Sequence, residues 1–123
     1  MPAVQVDRFE AKSADSPDET RTPPNQVVQV VNIGDSTLAR IKMKPGWRWS
    51  TDVKPIVGTD SCQASHLGYV VSGGLTVQTA DGAQHELKAG EFYTIPPGHD
   101  AWNDGGEDFV GLEILSAATY AKA

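Results

Sequence analysis

Residues 66–102 read HLGYVVSGGLTVQTADGAQHELKAGEFYTIPPGHDAW, and this stretch decides the fold. It consists of short apolar and β-rich runs, separated by turn signals at Gly73-Gly74, Asp81-Gly82 and Pro96-Pro97-Gly98. An Asp-Gly pair between alternating runs is among the strongest short-range signals for a β-hairpin. The stretch therefore predicts antiparallel strands joined by tight turns.

The flanking sequence extends this pattern in both directions. VVQVVNI (27–33) and TLARIKM (37–43) are two further β-rich runs around the turn residues 34–36, and FVGLEIL (109–115) is the last clear strand. Alternation in the last run places Val110, Leu112 and Ile114 on one face and predicts a surface position for Glu113. Seven or eight short strands without intervening helices predict an all-β fold, a single small antiparallel β-barrel or jelly roll.

Both ends of the chain lack this periodicity. Residues 1–26 are polar and interrupted by Pro17, Pro23 and Pro24, which predicts an irregular, extended N-terminal arm. The barrel domain is expected over residues 27–116 and a C-terminal tail over residues 117–123. A length of 123 residues fits one such domain.

Composition and charge argue against several classes of function. The formal net charge is −6 and the Lys and Arg residues form no cluster, so nucleic-acid binding is not expected. No apolar stretch is long enough to cross a bilayer, so no membrane partner is expected. The N-terminal residues lack the basic and apolar regions of a signal peptide, and the single cysteine, Cys62, fits a reducing compartment. These features together predict a cytoplasmic protein.

Two motifs within this pattern resemble those of the cupins. Residues 66–77 resemble the end of the first cupin motif, G-x5-H-x-H-x3,4-E-x6-G, and residues 90–98 resemble the start of the second, G-x5-P-x-G-x2-H-x3-N. Residues 73–90, which separate them, match the hairpin that cupins have between the motifs. The resemblance, which spans residues 46–115 and is nearest to small, stand-alone bacterial cupins, implies a double-stranded β-helix and a homodimer.

The metal ligands that the family motif implies are not all present. Counting back from Gly73 places His66 at the glutamate position and Cys62 and Asp60 at the two histidine positions. In the second motif Ala101 occupies the histidine position, and His99 stands two residues before it. The three-histidine and glutamate site of iron dioxygenases is therefore absent as written.

A substitute site is predicted from Cys62, His66 and His99. Cys62 and His66 have equal parity and would face the same side of extended backbone, while His99 has the parity of Ala101 and would face the same barrel interior. Thiolate and imidazole ligands suit zinc, and three protein ligands leave one coordination position open. Because a thiolate is oxidisable, a divalent metal such as zinc is favoured over iron. The alternative is that Cys62 is an ordinary buried apolar residue and that His99 only stabilises its turn.

The predicted function is a barrel that binds a divalent metal and a small polar metabolite in its interior. His66 and His99 are the candidate catalytic residues, for isomerase, hydrolase or lyase chemistry. The alternative is a cupin that binds or senses a small ligand without a metal, and a weaker one is a barrel that serves only as a dimer surface. Six further residues are predicted to line the pocket: Arg40, Trp49, Asp60, Tyr69, Tyr93 and Trp102.

Overall fold

The computed structural model describes residues 6–114, so the predicted tail at 117–123 lies outside the described residues. The described part is built from short antiparallel strands and two four-residue helices. In chain order these are β1 (Glu19–Arg21), β2 (Gln26–Ile33), β3 (Ser36–Met43), α1 (Trp49–Asp52), α2 (Lys54–Val57), β4 (His66–Ser72), β5 (Gly74–Gln78), β6 (Gln84–Lys88), β7 (Phe92–Ile95), β8 (Asp100–Trp102) and β9 (Phe109–Ile114).

The strands form two antiparallel sheets, which confirms the predicted all-β fold. The larger sheet has the order β1-β2-β3-β9-β4-β7 and the smaller one the order β6-β5-β8. The hairpin predicted around Asp81-Gly82 joins β5 to β6, with Gln78 paired to Gln84. Among the described residues, none of the helices has the length and apolar character needed to cross a membrane.

The core lies between the two sheets and is closed at one side by the loop and helices after β3. The large sheet contributes Val28, Ile41 and Val70, each at most 1% exposed, and the small sheet contributes Val77 at 2%. Removal of such side chains from water is the main source of the stability of a small barrel.

Two segments differ from the sequence-based predictions. Residues 49–57 form α1 and α2, whereas the sequence predicted strands without intervening helices, and Pro55 lies in the first turn of α2, where its missing N–H costs nothing. Trp47 and Trp49 are both buried, the first in a loop and the second at the start of α1. Within the expected irregular arm, Glu19–Arg21 pairs with β2 as an edge strand.

The prediction for the faces of β9 was wrong. Phe109, Gly111 and Glu113 face the interior, whereas Leu112 and Ile114 are exposed on the outer face of the large sheet. Glu113 is only 5% exposed. Glu113 is stable in the interior because His66 and Tyr93 form hydrogen bonds with its carboxylate. Leu112 and Ile114 are stable outside because they belong to a larger apolar surface.

Candidate metal centre

Two local features of the backbone bring the predicted ligands together. Cys62 and His99 lie opposite each other in an isolated antiparallel bridge, in which the Cys62 N–H donates to the His99 carbonyl over 2.8 Å and the Gly98 N–H donates to the Cys62 carbonyl over 2.7 Å. His66 is the first residue of β4 and pairs with Ile95, the last residue of β7. The turn that carries His99 follows Ile95 directly. The bridge and the strand pair thus direct three side chains into one end of the barrel.

The three side chains meet in a buried cluster. One candidate ligand atom from each of Cys62, His66 and His99 lies within 4.8 Å of the other two. The Cys62 Sγ atom is 3.7 Å from His66 Nε2, and the two imidazole ring centroids are 4.9 Å apart at 69°. The three residues are 4%, 7% and 3% exposed, respectively.

A fixed hydrogen-bond partner holds the Nδ1 atom of each histidine. His66 Nδ1 is 2.7 Å from Glu113 Oε1, and His99 Nδ1 is 2.7 Å from the main-chain carbonyl oxygen of Pro96. A carbonyl oxygen only accepts, so the proton of that bond resides on His99 Nδ1. Both imidazoles are thereby left with Nε2 as the nitrogen for a ligand, which is how outer-shell partners orient metal-binding histidines.

The ionisation of Cys62 and His66 is strongly coupled. Burial raises the pKa of the Cys62 thiol, but hydrogen bonds and charge from His66 and His99 outweigh it and lower the pKa to about 6. Burial lowers the pKa of His66, but its contacts with Cys62 and Glu113 outweigh it and raise the pKa to about 10. The metal-free cluster at neutral pH is therefore a thiolate beside an imidazolium.

The cluster faces a cavity of about 20 Å³, enough for one water-sized group. Its remaining walls are mostly apolar and include Met43, Trp47, Leu75, Ile95, Ala101 and Phe109. One thiolate and two imidazole nitrogens form a donor set that fits a divalent metal ion. The chemistry of the described residues is therefore compatible with the metal that a barrel of this type implies.

Of the predicted pocket residues, Trp49 and Tyr93 line this cavity and the other four do not. Asp60 is exposed in the loop before the bridge. Arg40 lies on the outer side of β3, where its guanidinium bonds to Asp15 and Gln29.

The two aromatic residues among these four also lie elsewhere. Tyr69 packs against Phe92 on the outer face of the large sheet, with ring centroids 4.8 Å apart. Trp102 lies beneath the Arg48 guanidinium, whose carbon is 4.3 Å from the ring centroid. Parity explains the three strand residues, Arg40, Tyr69 and Trp102, because side chains on the outer face of a strand cannot reach the interior. Asp60 lies in a loop, where strand alternation does not apply.

Sequence reasoning missed Glu113, which lines the cavity and bonds to His66 and Tyr93. The sequence did contain a signal for its position. Phe109 and Gly111 form a second face of the last strand without polar side chains, and Glu113 lies on that face. His85 is exposed on β6 and lies outside the cluster.

Comparisons with known proteins agree with this architecture. Residues 61–115 match the family model of the cupin domain. No curated protein matches this chain.

Several solved structures share the fold. The polyketide cyclase RemF from Streptomyces resistomycificus is 15% identical in sequence, with a TM-score of 0.63. The match covers 87% of this chain and 78% of the RemF chain. A cupin domain from Bordetella pertussis is 21% identical with a TM-score of 0.52, covering 76% and 94%. KdgF from Halomonas sp. is 19% identical with a TM-score of 0.53, covering 78% and 83%.

At these identities the structural likeness establishes the fold alone. The likeness agrees with the two antiparallel sheets of the described residues. Residues 61–115 therefore match a cupin domain, and the described residues share the fold of solved cupin-domain structures.

Proposed function

We propose that this protein is a metal-binding cupin in which Cys62, His66 and His99 hold one divalent ion, with zinc favoured over iron. The observation that carries the proposal is the convergence of three buried ligand atoms within 4.8 Å. The anchored Nδ1 atoms add to it, because they direct both Nε2 atoms to ligand positions.

The ligand chemistry supports zinc and a reducing compartment. A thiolate beside a redox-active ion is exposed to oxidation, whereas zinc does not change its oxidation state. Cys62 must remain reduced to serve as a ligand, which is consistent with the predicted cytoplasmic location.

We further propose that the site catalyses hydrolase, lyase or isomerase chemistry on a small polar metabolite. A divalent ion held by three protein ligands supplies Lewis acidity, by which a carbonyl is polarised or water is acidified. His66 and His99 orient the site, and the apolar walls formed by residues such as Trp47 and Phe109 exclude bulk water. A cavity of about 20 Å³ admits one small group, so a substrate would present a terminal carbonyl or carboxyl group at the site.

Elemental analysis tests the proposal directly. Protein purified without a metal-affinity tag is expected to contain close to one equivalent of metal, and His66→Ala is expected to lose it. His85→Ala is the matched control, because His85 is exposed and outside the cluster. Wild-type protein that takes up no zinc, manganese or ferrous ion would leave the alternative of a metal-free cupin that binds or senses a small ligand.

A second candidate function is favoured by one specific arrangement. Cys62 Sγ is 3.7 Å from His66 Nε2, and His66 Nδ1 is 2.7 Å from Glu113 Oε1. This is the order of a thiol, a base and an orienting carboxylate. Such a triad would act as a nucleophile without metal. Turnover that persists in the presence of a strong chelator and is abolished by Cys62→Ser would favour this candidate over the metal centre.

The predicted homodimer also remains a proposal, and the outer face of the large sheet supports it. Leu67, Phe92, Leu112 and Ile114 are 42%, 81%, 43% and 39% exposed there. Among residues 6–114, those that line the depression between them carry no charge, in a chain of net charge −6. A second copy of this chain would meet the least electrostatic repulsion at such a surface, and contiguous exposed apolar patches commonly mark interfaces.

The mass of the protein in solution tests this surface. Wild-type protein is expected to elute as a dimer in size exclusion with light scattering, and Phe92→Lys is expected to shift it to the monomer. His85→Lys introduces the same residue at an exposed position on β6 and is expected to leave the dimer intact. A monomeric wild type, or a Phe92→Lys dimer of unchanged stability, would overturn the proposal.

A further inference from the structure

We infer that Glu113 is a positioning residue that fixes His66 for metal binding, and that Tyr93 in turn fixes Glu113. The inference rests on the proposed metal centre, because it assigns a role toward the metal to residues that are not ligands. The hydrogen bonds, the burial and the backbone around Tyr93 each support it.

The carboxylate of Glu113 is held at both oxygens. Its Oε1 atom is 2.7 Å from His66 Nδ1, and its Oε2 atom accepts the Tyr93 hydroxyl proton over 2.6 Å. Glu113 and Tyr93 are 5% and 7% exposed. Since a buried carboxylate is costly unless it is paired, its position between a phenol and an imidazole indicates a specific role.

The two neighbouring strands leave room for the Tyr93 hydroxyl. A Cβ atom on Gly68 of β4 would lie 2.6 Å from the Tyr93 hydroxyl oxygen, and one on Gly111 of β9 would lie 3.4 Å from it. Neither glycine has a positive φ, so a turn conformation does not explain either of them. Their lack of side chains lets Tyr93 reach Glu113, which is on β9 two residues beyond Gly111.

The two histidines therefore differ in how they are anchored. The Nδ1 atom of His99 faces a neutral main-chain carbonyl, whereas that of His66 faces a carboxylate. A carboxylate partner both fixes the orientation of an imidazole and increases its basicity as a ligand. His66 is thus the ligand whose strength depends on a side chain, and Glu113 is the residue that sets it.

Metal affinity in Glu113→Gln tests the inference, since this change keeps the size of the side chain and removes its charge. Zinc affinity, measured by competition with a chromogenic chelator, is expected to fall by roughly 10- to 100-fold, the usual effect of losing such a partner. Tyr93→Phe is expected to cause a smaller loss in the same direction. Glu86→Gln, at an exposed position on β6, is the matched control and is expected to leave the affinity unchanged.

The protonation of His66 provides a second measurement that a merely structural role would not change. The chain has three histidines, so long-range ¹H–¹⁵N correlation spectra of the zinc-loaded protein are readily assigned. In the wild type the His66 proton is expected on Nδ1, with its resonance displaced in Tyr93→Phe and in Glu113→Gln. This measurement on wild type and Tyr93→Phe decides the question even if Glu113→Gln fails to fold.

The outcomes separate the two proposals. Wild-type protein that binds no metal overturns both the metal centre and the role of Glu113. Wild-type protein that binds zinc while Glu113→Gln binds it equally well, or a His66 proton on Nε2, overturns the role of Glu113 alone.

Discussion

Replacement of Gly68 by Ala should show how closely the stability of the barrel is linked to the cluster. The added Cβ atom would lie 2.6 Å from the Tyr93 hydroxyl oxygen and 2.6 Å from the main-chain oxygen of Leu112. The Leu112 oxygen lies in a paired strand and moves little, so strain against it persists, and the Tyr93 ring must in addition shift away from the new Cβ atom. That shift breaks the hydrogen bond from Tyr93 to Glu113.

Two contributions set the size of the effect. Overpacking of a core typically costs about 1–3 kcal/mol. The loss of a buried hydrogen bond to a charged group costs about 1.5–3 kcal/mol more. The free energy of unfolding of Gly68→Ala is therefore expected to fall by about 2.5–6 kcal/mol, which lowers the urea midpoint by about 2–4 M for an m value of about 1.5 kcal/mol/M.

Urea unfolding of the metal-free proteins measures this change. Gly106→Ala is the matched control, because a Cβ atom at Gly106 meets nothing within 4 Å and its φ is not positive. Its midpoint is expected to stay within about 0.5 M of the wild type, since surface substitutions usually change stability by less than 0.5 kcal/mol. A Gly68→Ala protein as stable as Gly106→Ala would refute the steric reasoning about Tyr93.

Two further predictions concern Cys62 and Asn103. In the metal-free protein the thiolate absorbance of Cys62, the only cysteine, should appear as the pH rises through about 6; a midpoint near 9 would contradict the coupling to His66. Because this pKa lies below that of the unfolded chain, thiolate formation should stabilise the fold fully above pH 9, and that contribution should be lost as the pH falls through about 6. Asn103→Ala should lower the free energy of unfolding by about 1–3 kcal/mol, because it leaves the buried carbonyl group of Met43 without its donor. It also removes the donor of the part-buried Glu107 carbonyl group; each oxygen is 3.0 Å from Asn103 Nδ2. A loss below about 1 kcal/mol in urea unfolding would show that water replaces the Asn103 amide.

Turn chemistry made much of the fold predictable. Gly73 and Gly82 have positive φ values that few residues other than glycine adopt, and both lie between strands as expected. Parity and the spacing of the motifs also selected Cys62, His66 and His99, which the structure brings into one cluster. These features depend on local sequence, which is why they could be predicted from it.

The inward face of β9 was not predictable by the same reasoning. Alternation defines two faces but does not say which one is buried when both carry apolar residues. Leu112 and Ile114 suggested the wrong side, because the partners that stabilise Glu113 come from β7 and β4, 20 and 47 residues away in sequence. The short helices at 49–57 were missed for a similar reason, since four residues are too few to show a helical period.

Cobalt substitution tests the central claim, that Cys62, His66 and His99 hold a divalent ion, most directly. Addition of Co²⁺ to metal-free protein is expected to produce a near-ultraviolet thiolate-to-cobalt charge-transfer band that saturates at one equivalent. Because the chain has one cysteine, the band can arise only from Cys62, and it is expected to vanish in Cys62→Ser. Wild-type protein without a cobalt-dependent band, or a Cys62→Ser protein that retains it, would contradict the account.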